Sequence, residues 1–474
     1  MIVEQIYTGC LAQGAYYIES EGEALVIDPL REVEPYIKKA AKSGAQIKYV
    51  FETHFHADFV SGHIDLAAKT GAKIVFGPNA TCGFGCYSAK DGEEFKVGKY
   101  TMRVLHTPGH TLESTCYLLL DENGRERYVF TGDTLFIGDV GRPDLAQKSD
   151  IKKEDLAAML YDSLNTKIKT LPDDVIVYPA HGAGSACGKN LSKETFDTVG
   201  RQKQTNYALL ASTKAQFIED VLAGLTAPPA YFPMNVQMNK HGYPSIDSVL
   251  ARGNRALDPI TFELEAEAND ALVLDTRPAD EFSKGFIPNS INIGLGGQFA
   301  PWVGELITDI KQPILVVAPV GMEEEAIIRL SRVGYDATIG YLKGGFAAWQ
   351  SEGKDVETID RISAEVFAQN WLNDKKNNTN YPVLDIRREG EYAAEHVEDA
   401  FHRPLSILND WMGLLDKNTP FTLYCGSGYR SMIAASILKA RGFNNFKEVA
   451  GGFAAIAKTS VLRTDFVCQS KISI

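Results

Sequence analysis

Short apolar runs rich in β-branched and aromatic residues punctuate the first half of the chain. They predict strands near residues 24–28, 47–52, 72–76, 100–106, 115–120, 127–131 and 175–178. Apolar positions recurring at helical spacing predict helices near 33–43, 63–70 and 151–168, with more from 192 onward. From Ala227 to Leu257 the pairs Pro228-Pro229, Phe232-Pro233 and Tyr243-Pro244 read as an extended segment closing the first domain, with a linker near 255–262. The polar run Ser351-Glu352-Gly353-Lys354-Asp355 marks a second linker around 351–360. Asn373 to Asn380 reads as an exposed loop.

The second half repeats itself. Leu272-Val273-Leu274-Asp275-Thr276-Arg277 returns as Pro382-Val383-Leu384-Asp385-Ile386-Arg387, and Lys343-Gly344-Gly345-Phe346-Ala347-Ala348 returns as Ala450-Gly451-Gly452-Phe453-Ala454-Ala455. The spacing of about 110 residues means two similar consecutive domains. Each has a buried-type strand ending in Asp-x-Arg and a Gly-Gly-Phe turn into a helix. The expected boundaries are 1–257, 258–355 and 356–474.

Chemistry gathers at strand ends. Thr53-His54-Phe55-His56-Ala57-Asp58-Phe59 follows one apolar run, and His110, Asp133 and His181 follow three others inside glycine-containing turns. A lone histidine is usually a satisfied core or surface residue. Several His and Asp side chains delivered by four strand ends instead point to a transition-metal site. Later, the strand Phe421-Thr422-Leu423-Tyr424 runs into Cys425-Gly426-Ser427-Gly428-Tyr429-Arg430-Ser431 and then a helical stretch. A cysteine there meets loop amides and the positive end of a helix dipole, and Arg430 adds a charge. Both favour the nucleophilic thiolate, while the glycines let the loop curl into an anion-binding nest. The other copy has Ala318-Pro319-Val320-Gly321-Met322-Glu323-Glu324-Glu325 in that place. It offers no thiol, and its acidic triplet would repel anions, so that domain is expected to be silent and to serve as a spacer or a subunit interface.

The run His54-x-His56-x-Asp58 resembles the His-x-His-x-Asp-His motif of the metallo-β-lactamase superfamily. The segments Gly132 to Leu145, Ala57 to His63 and His181 to Ser185 are similar to its persulfide dioxygenase branch. The repeats resemble the rhodanese family, the first also through Glu281-Phe282, Gly285-Phe286-Ile287-Pro288 and Ser290-Ile291-Asn292. The resemblance implies an α/β multidomain protein, an αββα sandwich followed by two parallel α/β rhodanese-like domains. The last motif position, a metal-binding histidine in the two-zinc hydrolases, is Phe59 here, which cannot ligate. By resemblance His54, His110 and Asp133 hold one Fe(II), a facial triad with open positions, and His56, Asp58 and His181 orient ligands or move protons. Zinc is the alternative metal, with glyoxalase II-like thioester hydrolysis as its chemistry. Arg142 is placed either to bind a carboxylate of the thiol carrier or to anchor its loop.

In the third domain Cys425 and Arg430 are the expected catalytic pair, and Gly426, Ser427, Gly428, Tyr429 and Ser431 the substrate loop. Cys-x4-Arg has the sulfurtransferase length, whereas Cys-x5-Arg would suggest a phosphatase or arsenate reductase. The implied partners are low-molecular-weight thiol persulfides, O2, and sulfite or thiosulfate, in a protein that is a dimer or tetramer.

Composition agrees. The 474 residues are 45% apolar and 23% charged, with a net charge of -13 that disfavours nucleic acid and anionic membranes. No apolar run reaches spanning length, and no secretory leader is visible at Met1-Ile2-Val3-Glu4-Gln5. Seven cysteines without framework spacing suit a reducing cytoplasm. Cys82 and Cys86 have the spacing of a redox pair, yet with no other paired thiols near they are expected to be ordinary loop thiols.

Overall fold

Alternation within the strands sorts side chains into three layers of core. In Gln13–Ser20, Tyr16 and Ile18 join one cluster and Ala15 and Tyr17 another. In Thr115–Leu120, Tyr117 and Leu119 join that same first cluster, while Cys116, Leu118 and Leu120 join a third. The shared cluster is therefore the seam between two sheets, and the outer clusters seat helices, among them Glu34–Ser43 on one side and Lys153–Ser163 on the other. Burial on both faces explains why these strands read as continuous apolar runs.

The computed structural model describes residues 1–146, 151–225, 227–377, 379 and 381–467. Its contacts define two units, Met1–Ser248 with Leu330–Asp336, and Val249–Arg329 with Ala337–Ile474. The first unit holds two six-stranded sheets. One runs in chain order through Ile2–Thr8, Gln13–Ser20, Glu23–Ile27, Gln46–Phe51, Lys73–Phe76 and Tyr87–Ser88. The other pairs Asp197–Thr198, Ile176–Pro179, Glu126–Gly132, Thr115–Leu120, Tyr100–His106 and Glu94–Val97 in that order. The second unit holds two five-stranded parallel sheets of identical topology, centred on Ile314–Val317 and Phe421–Tyr424. In each, the Asp-x-Arg signature is a buried ion pair at a strand end. Arg277 bonds Asp275 and the carbonyl of Gly285, and Arg387 bonds Asp385 and the carbonyl of Glu395. Among the described residues no helix is long and apolar enough to cross a membrane.

Four local expectations are corrected. Ala227–Leu257 is not an extended segment, because it contains the helices Phe232–His241 and Ile246–Gly253. Pro233 lies in the first turn of the former, where a missing N–H costs nothing. The supposed linker at 255–262 is structured too. Ala256–Leu257 pairs with Thr338–Leu342, and Asp258 caps the helix Pro259–Ala268 by accepting from the amides of Ile260 and Thr261. The helix Ala364–Asn377 runs through the first part of the expected Asn373–Asn380 loop, while Asn378 and Asn380 lie outside the described residues. Cys82 and Cys86 are joined in a disulfide rather than being separate loop thiols. Gly83 and Gly85 lie between them and let the chain fold back on itself.

A close approach joins two strand ends of the first unit. Gly132 has φ of +51°, and a Cβ there would lie 2.6 Å from Thr53 Cβ and Oγ1. Left-handed backbone with a side chain costs about 1–2 kcal/mol and the overpacking about 1–3 kcal/mol more. Gly132→Ala should accordingly lower the unfolding free energy by about 2–5 kcal/mol in urea titration, whereas an unmoved midpoint would mean the turn relaxes freely.

Candidate metal centre and sulfur-transfer site

The first site begins with Asp28, at the end of the strand Glu23–Ile27. Its carboxylate accepts from the Thr53 amide and from Thr53 Oγ1, each at 2.8 Å. Thr53 Oγ1 also lies 3.0 Å from His54 Nδ1. A carboxylate only accepts, so the hydroxyl gives Asp28 its single proton and takes one from Nδ1–H. That leaves the Nε2 lone pair of His54 for a metal. His110 is set by the same logic, since its Nδ1 donates to the Arg142 carbonyl at 2.9 Å. The Nε2 atoms of His110 and His54 lie 3.4 and 4.0 Å from Asp133 Oδ2.

All three side chains are buried, and one donor atom from each falls within 4.8 Å of the others. Burial, reinforced by the imidazoles of His56, His110 and His181, holds His54 well below its usual pKa, in the neutral form that ligates. Neither carboxylate oxygen of Asp133 has a hydrogen-bond partner. A buried carboxylate in that state costs several kcal/mol unless a cation faces it. The donor set thus fits a metal ion, with two imidazoles and one carboxylate suiting Fe(II) or zinc.

The three accessory residues of the motif do not stay together. His56 Nε2 lies 3.0 Å from Asp28 Oδ1 and 3.4 Å from Glu52 Oε2, and its ring packs on Phe59 with centroids 4.4 Å apart. Burial opposes a charge there, but Asp28 and Glu52 prevail and hold the imidazolium well above its usual pKa. Asp58 and His181 instead face Asp133. His181 Nε2 is 3.4 Å from Asp58 Oδ2 and 3.5 Å from Asp133 Oδ1, and its Nδ1 meets the Ala12 carbonyl at 3.2 Å.

Cys187, which the motif reading passed over, joins Asp58 and His181 in a second buried donor group. Burial and the nearby Asp58 and Asp133 carboxylates push its thiol well up. The only signal in the sequence was its place in the glycine-rich turn after His181.

The carrier-binding option for Arg142 is corrected. Its guanidinium pairs with Asp144 through bonds of 2.8 and 2.7 Å and is 4% exposed, so it anchors its loop.

In the third domain Cys425 is fully buried between the strand Phe421–Tyr424 and the helix Tyr429–Ala440. The Gly428 amide donates to Cys425 Sγ at 3.1 Å, from a glycine with φ of +97°. Ser431 Oγ lies 3.4 Å from the same sulfur and bonds Glu448. Gly426 and Ser427 complete the turn. Arg430, the expected charge near the thiol, is itself paired. It forms a two-bond pair with Glu391 at 2.6 and 2.7 Å, which outweighs burial and holds that carboxyl below the usual range.

The Tyr429 hydroxyl donates to the Gly294 carbonyl of the first rhodanese-like copy at 2.8 Å. Beside this loop is a cavity of about 240 Å³ lined by Ser427, Tyr429, Arg430 and Arg388, and by Gln298 and Trp302 from the silent copy. That copy has Ala318 where the active one has Cys425. Gly345 backs the Ala318 carbonyl as Gly452 backs that of Cys425.

Residues 8–85 and 87–181 match the family model of the metallo-beta-lactamase superfamily, and 261–352 and 368–459 match that of the rhodanese-like domain. A probable hydroxyacylglutathione hydrolase, glo2, of Schizosaccharomyces pombe is 38% identical over 33% of this chain and 57% of its own length. A hydroxyacylglutathione hydrolase of Polaromonas sp. is 35% identical over 38% of this chain and 66% of its own. The chain thus spans less than two thirds of either hydrolase. A crystal structure of a metallo-beta-lactamase from Staphylococcus aureus superposes with a TM-score of 0.63 and 31% identity, over 72% of this chain and 99% of that one.

The hydrogen bonds behind the ligands are open to test. Thr53→Ala removes the acceptor that orients His54 and should weaken metal binding about ten- to hundredfold in a chelator competition; equal affinity would mean that His54 is positioned by packing alone. With a family match across its first domain and a relative whose whole length it covers, the chain belongs to the metallo-beta-lactamase superfamily and carries two rhodanese-like domains behind that domain.

Proposed function

We propose that the first domain is a non-haem Fe(II) persulfide dioxygenase and that the third is a sulfurtransferase acting on its product. The observation that carries this reading is the engagement of His56 Nε2 by Asp28 and Glu52, with Phe59 at the last motif position packed on its ring. Phe59 removes one of the motif's three nitrogen donors, and His54, His110 and Asp133 form a three-residue donor face. Fe(II) held there supplies the redox chemistry that joins O2 to the terminal sulfur of a thiol persulfide. The balance is RSSH + O2 + H2O giving RSH, sulfite and two protons. Thr53 and the Arg142 carbonyl fix the two imidazoles, and the buried wall of Phe59 limits water at the reacting sulfur.

In the third domain Cys425 attacks the sulfane sulfur of a second persulfide. The carrier leaves as its thiol, and the cysteine persulfide is then attacked by sulfite to give thiosulfate and regenerate Cys425. The Gly428 amide faces the sulfur that becomes a thiolate at each transfer. Joining both activities in one chain raises the effective concentration of sulfite at the second site. The same steps run backwards from thiosulfate. Low-molecular-weight persulfides in the cytoplasm are the substrates of this reading, and a homo-oligomer its assembly.

A second reading is zinc-dependent thioester hydrolysis, favoured by the two curated relatives named as hydroxyacylglutathione hydrolases.

Oxygen uptake separates the two. Anaerobically purified, iron-loaded protein given glutathione persulfide should consume O2 and form thiosulfate. Cys425→Ser should consume O2 at the same rate and accumulate sulfite. No uptake with any persulfide, together with thioester cleavage by the zinc-loaded protein, would replace the dioxygenase with the hydrolase.

A further inference from the structure

We infer that Glu448 is a positioning residue of the sulfur-transfer site, taking the proton of Cys425 through Ser431 Oγ and returning it when the sulfur leaves. The inference rests on the reading of Cys425 as a sulfur-accepting nucleophile and adds the group that handles its proton.

Three fully buried side chains form a chain of contacts behind the loop. Ser431 Oγ is 3.4 Å from Cys425 Sγ and bonds Glu448 Oε1. A hydroxyl carries one proton, and here it faces two groups that can take it. While Glu448 is a carboxylate, which only accepts, Ser431 gives it that proton and receives S–H from Cys425. When the thiol proton moves along the same line, Ser431 donates to the thiolate and Glu448 holds a proton as the carboxylic acid. The S–H bond breaks, an O–H bond forms at Glu448, and the net charge of the three residues is unchanged. That matters in a buried site, where an added charge is costly.

The surroundings leave the proton movable. Burial pushes the Glu448 carboxyl up, toward holding a proton, and Arg361 opposes it with a 2.6 Å bond from Nε to Oε2. Asp280 of the first rhodanese-like copy pairs with Arg361 and acts on Glu448 in the same direction as burial. On the sulfur side the Gly428 amide donates to Sγ, and Arg430 is paired with Glu391.

The duplication supplies a control. Arg361 and Glu448 are register partners on the parallel strands Arg361–Ile362 and Phe446–Val449. A Cβ on Gly428 would lie 2.8 Å from Arg361 Nη2 and 3.7 Å from Glu448 Oε1, so the pair sits directly against the loop. The other copy pairs Ala256 with Tyr341 at the same register and has Ala318 in place of the thiol. Ion pair and nucleophile thus occur together in one copy and are both missing from the other. A bridge that served only the fold would have no reason to follow the thiol.

During transfer the thiolate takes the outer sulfur of a persulfide, whose carrier leaves with the bonding electron pair. When sulfite removes that sulfur, the S–S bond breaks and its electron pair stays on Cys425 Sγ. Ser431 donates to this developing thiolate, and Glu448 resupplies Ser431.

The test follows the ultraviolet absorbance of the thiolate in full-length protein from acid to alkaline pH, as a difference against Cys425→Ser. Two groups that share a proton titrate in two macroscopic steps, so the wild-type thiolate should form in two separate rises. Glu448→Gln should give one rise. Ser431→Ala, which keeps both end groups and removes the bridge, should give one as well. A single rise in the wild type overturns the proposal, and so does a two-step profile that survives either substitution. In thiosulfate formation from glutathione persulfide and sulfite, Glu448→Gln should lower kcat about a hundredfold and leave KM unchanged; an unaltered kcat overturns the return of the proton. The absorbance needs no turnover. Two rises in a wild type that transfers no sulfur would remove the sulfurtransferase reading alone, whereas transfer with a single rise would remove the role of Glu448 alone.

Discussion

The site hangs on the carboxylate of Asp28. This residue sits in left-handed backbone, with φ of +49°, where a non-glycine residue is strained by about 1–3 kcal/mol. Its amide donates to the Phe51 carbonyl, and its own carbonyl accepts from Gln13. From that fixed position the carboxylate meets two histidines of one motif in two ways. Through Thr53 it orients the His54 ring, and by direct contact it faces Nε2 of His56. Hydrogen bonding, not the spacing of the motif alone, sets how each imidazole is held.

That division marks the limit of what the sequence could show. The layered fold was legible because its strands are buried on both faces and therefore read as apolar runs. The repeat was legible because Asp275-x-Arg277 and Asp385-x-Arg387 each close a strand with the same buried ion pair. The meeting of His54, His110 and Asp133 could be expected from the strand ends. The Asp28 contact of His56 could not, because Asp28 is remote in sequence. Cys187 and the Asp144 partner of Arg142 were hidden for a similar reason, their meaning being set by the return of one loop against another. The helices after Pro228 were misread because proline was taken as a breaker, while Pro233 occupies a position where it favours a helix start.

The first rhodanese-like copy shares the framework of the second without its thiol. It keeps the sheet order, the buried Asp275–Arg277 pair and the glycine behind the carbonyl of Ala318. It lacks the thiol and opens the following helix with three glutamates. Yet it is not idle scaffolding, since Gln298 and Trp302 line the cavity beside Tyr429 and Arg430, and Gly294 receives the Tyr429 hydroxyl. A domain without the thiol thus helps to line the cavity beside the thiol of its twin.

The link through Arg142 has an unusual invisibility. Its amide and carbonyl, not its guanidinium, connect Cys187 with His110. Every residue type except proline carries that same pair of groups. Sequence drift at this position can therefore erase the pair with Asp144 and leave the connection standing, so natural selection has almost no alphabet in which to record it.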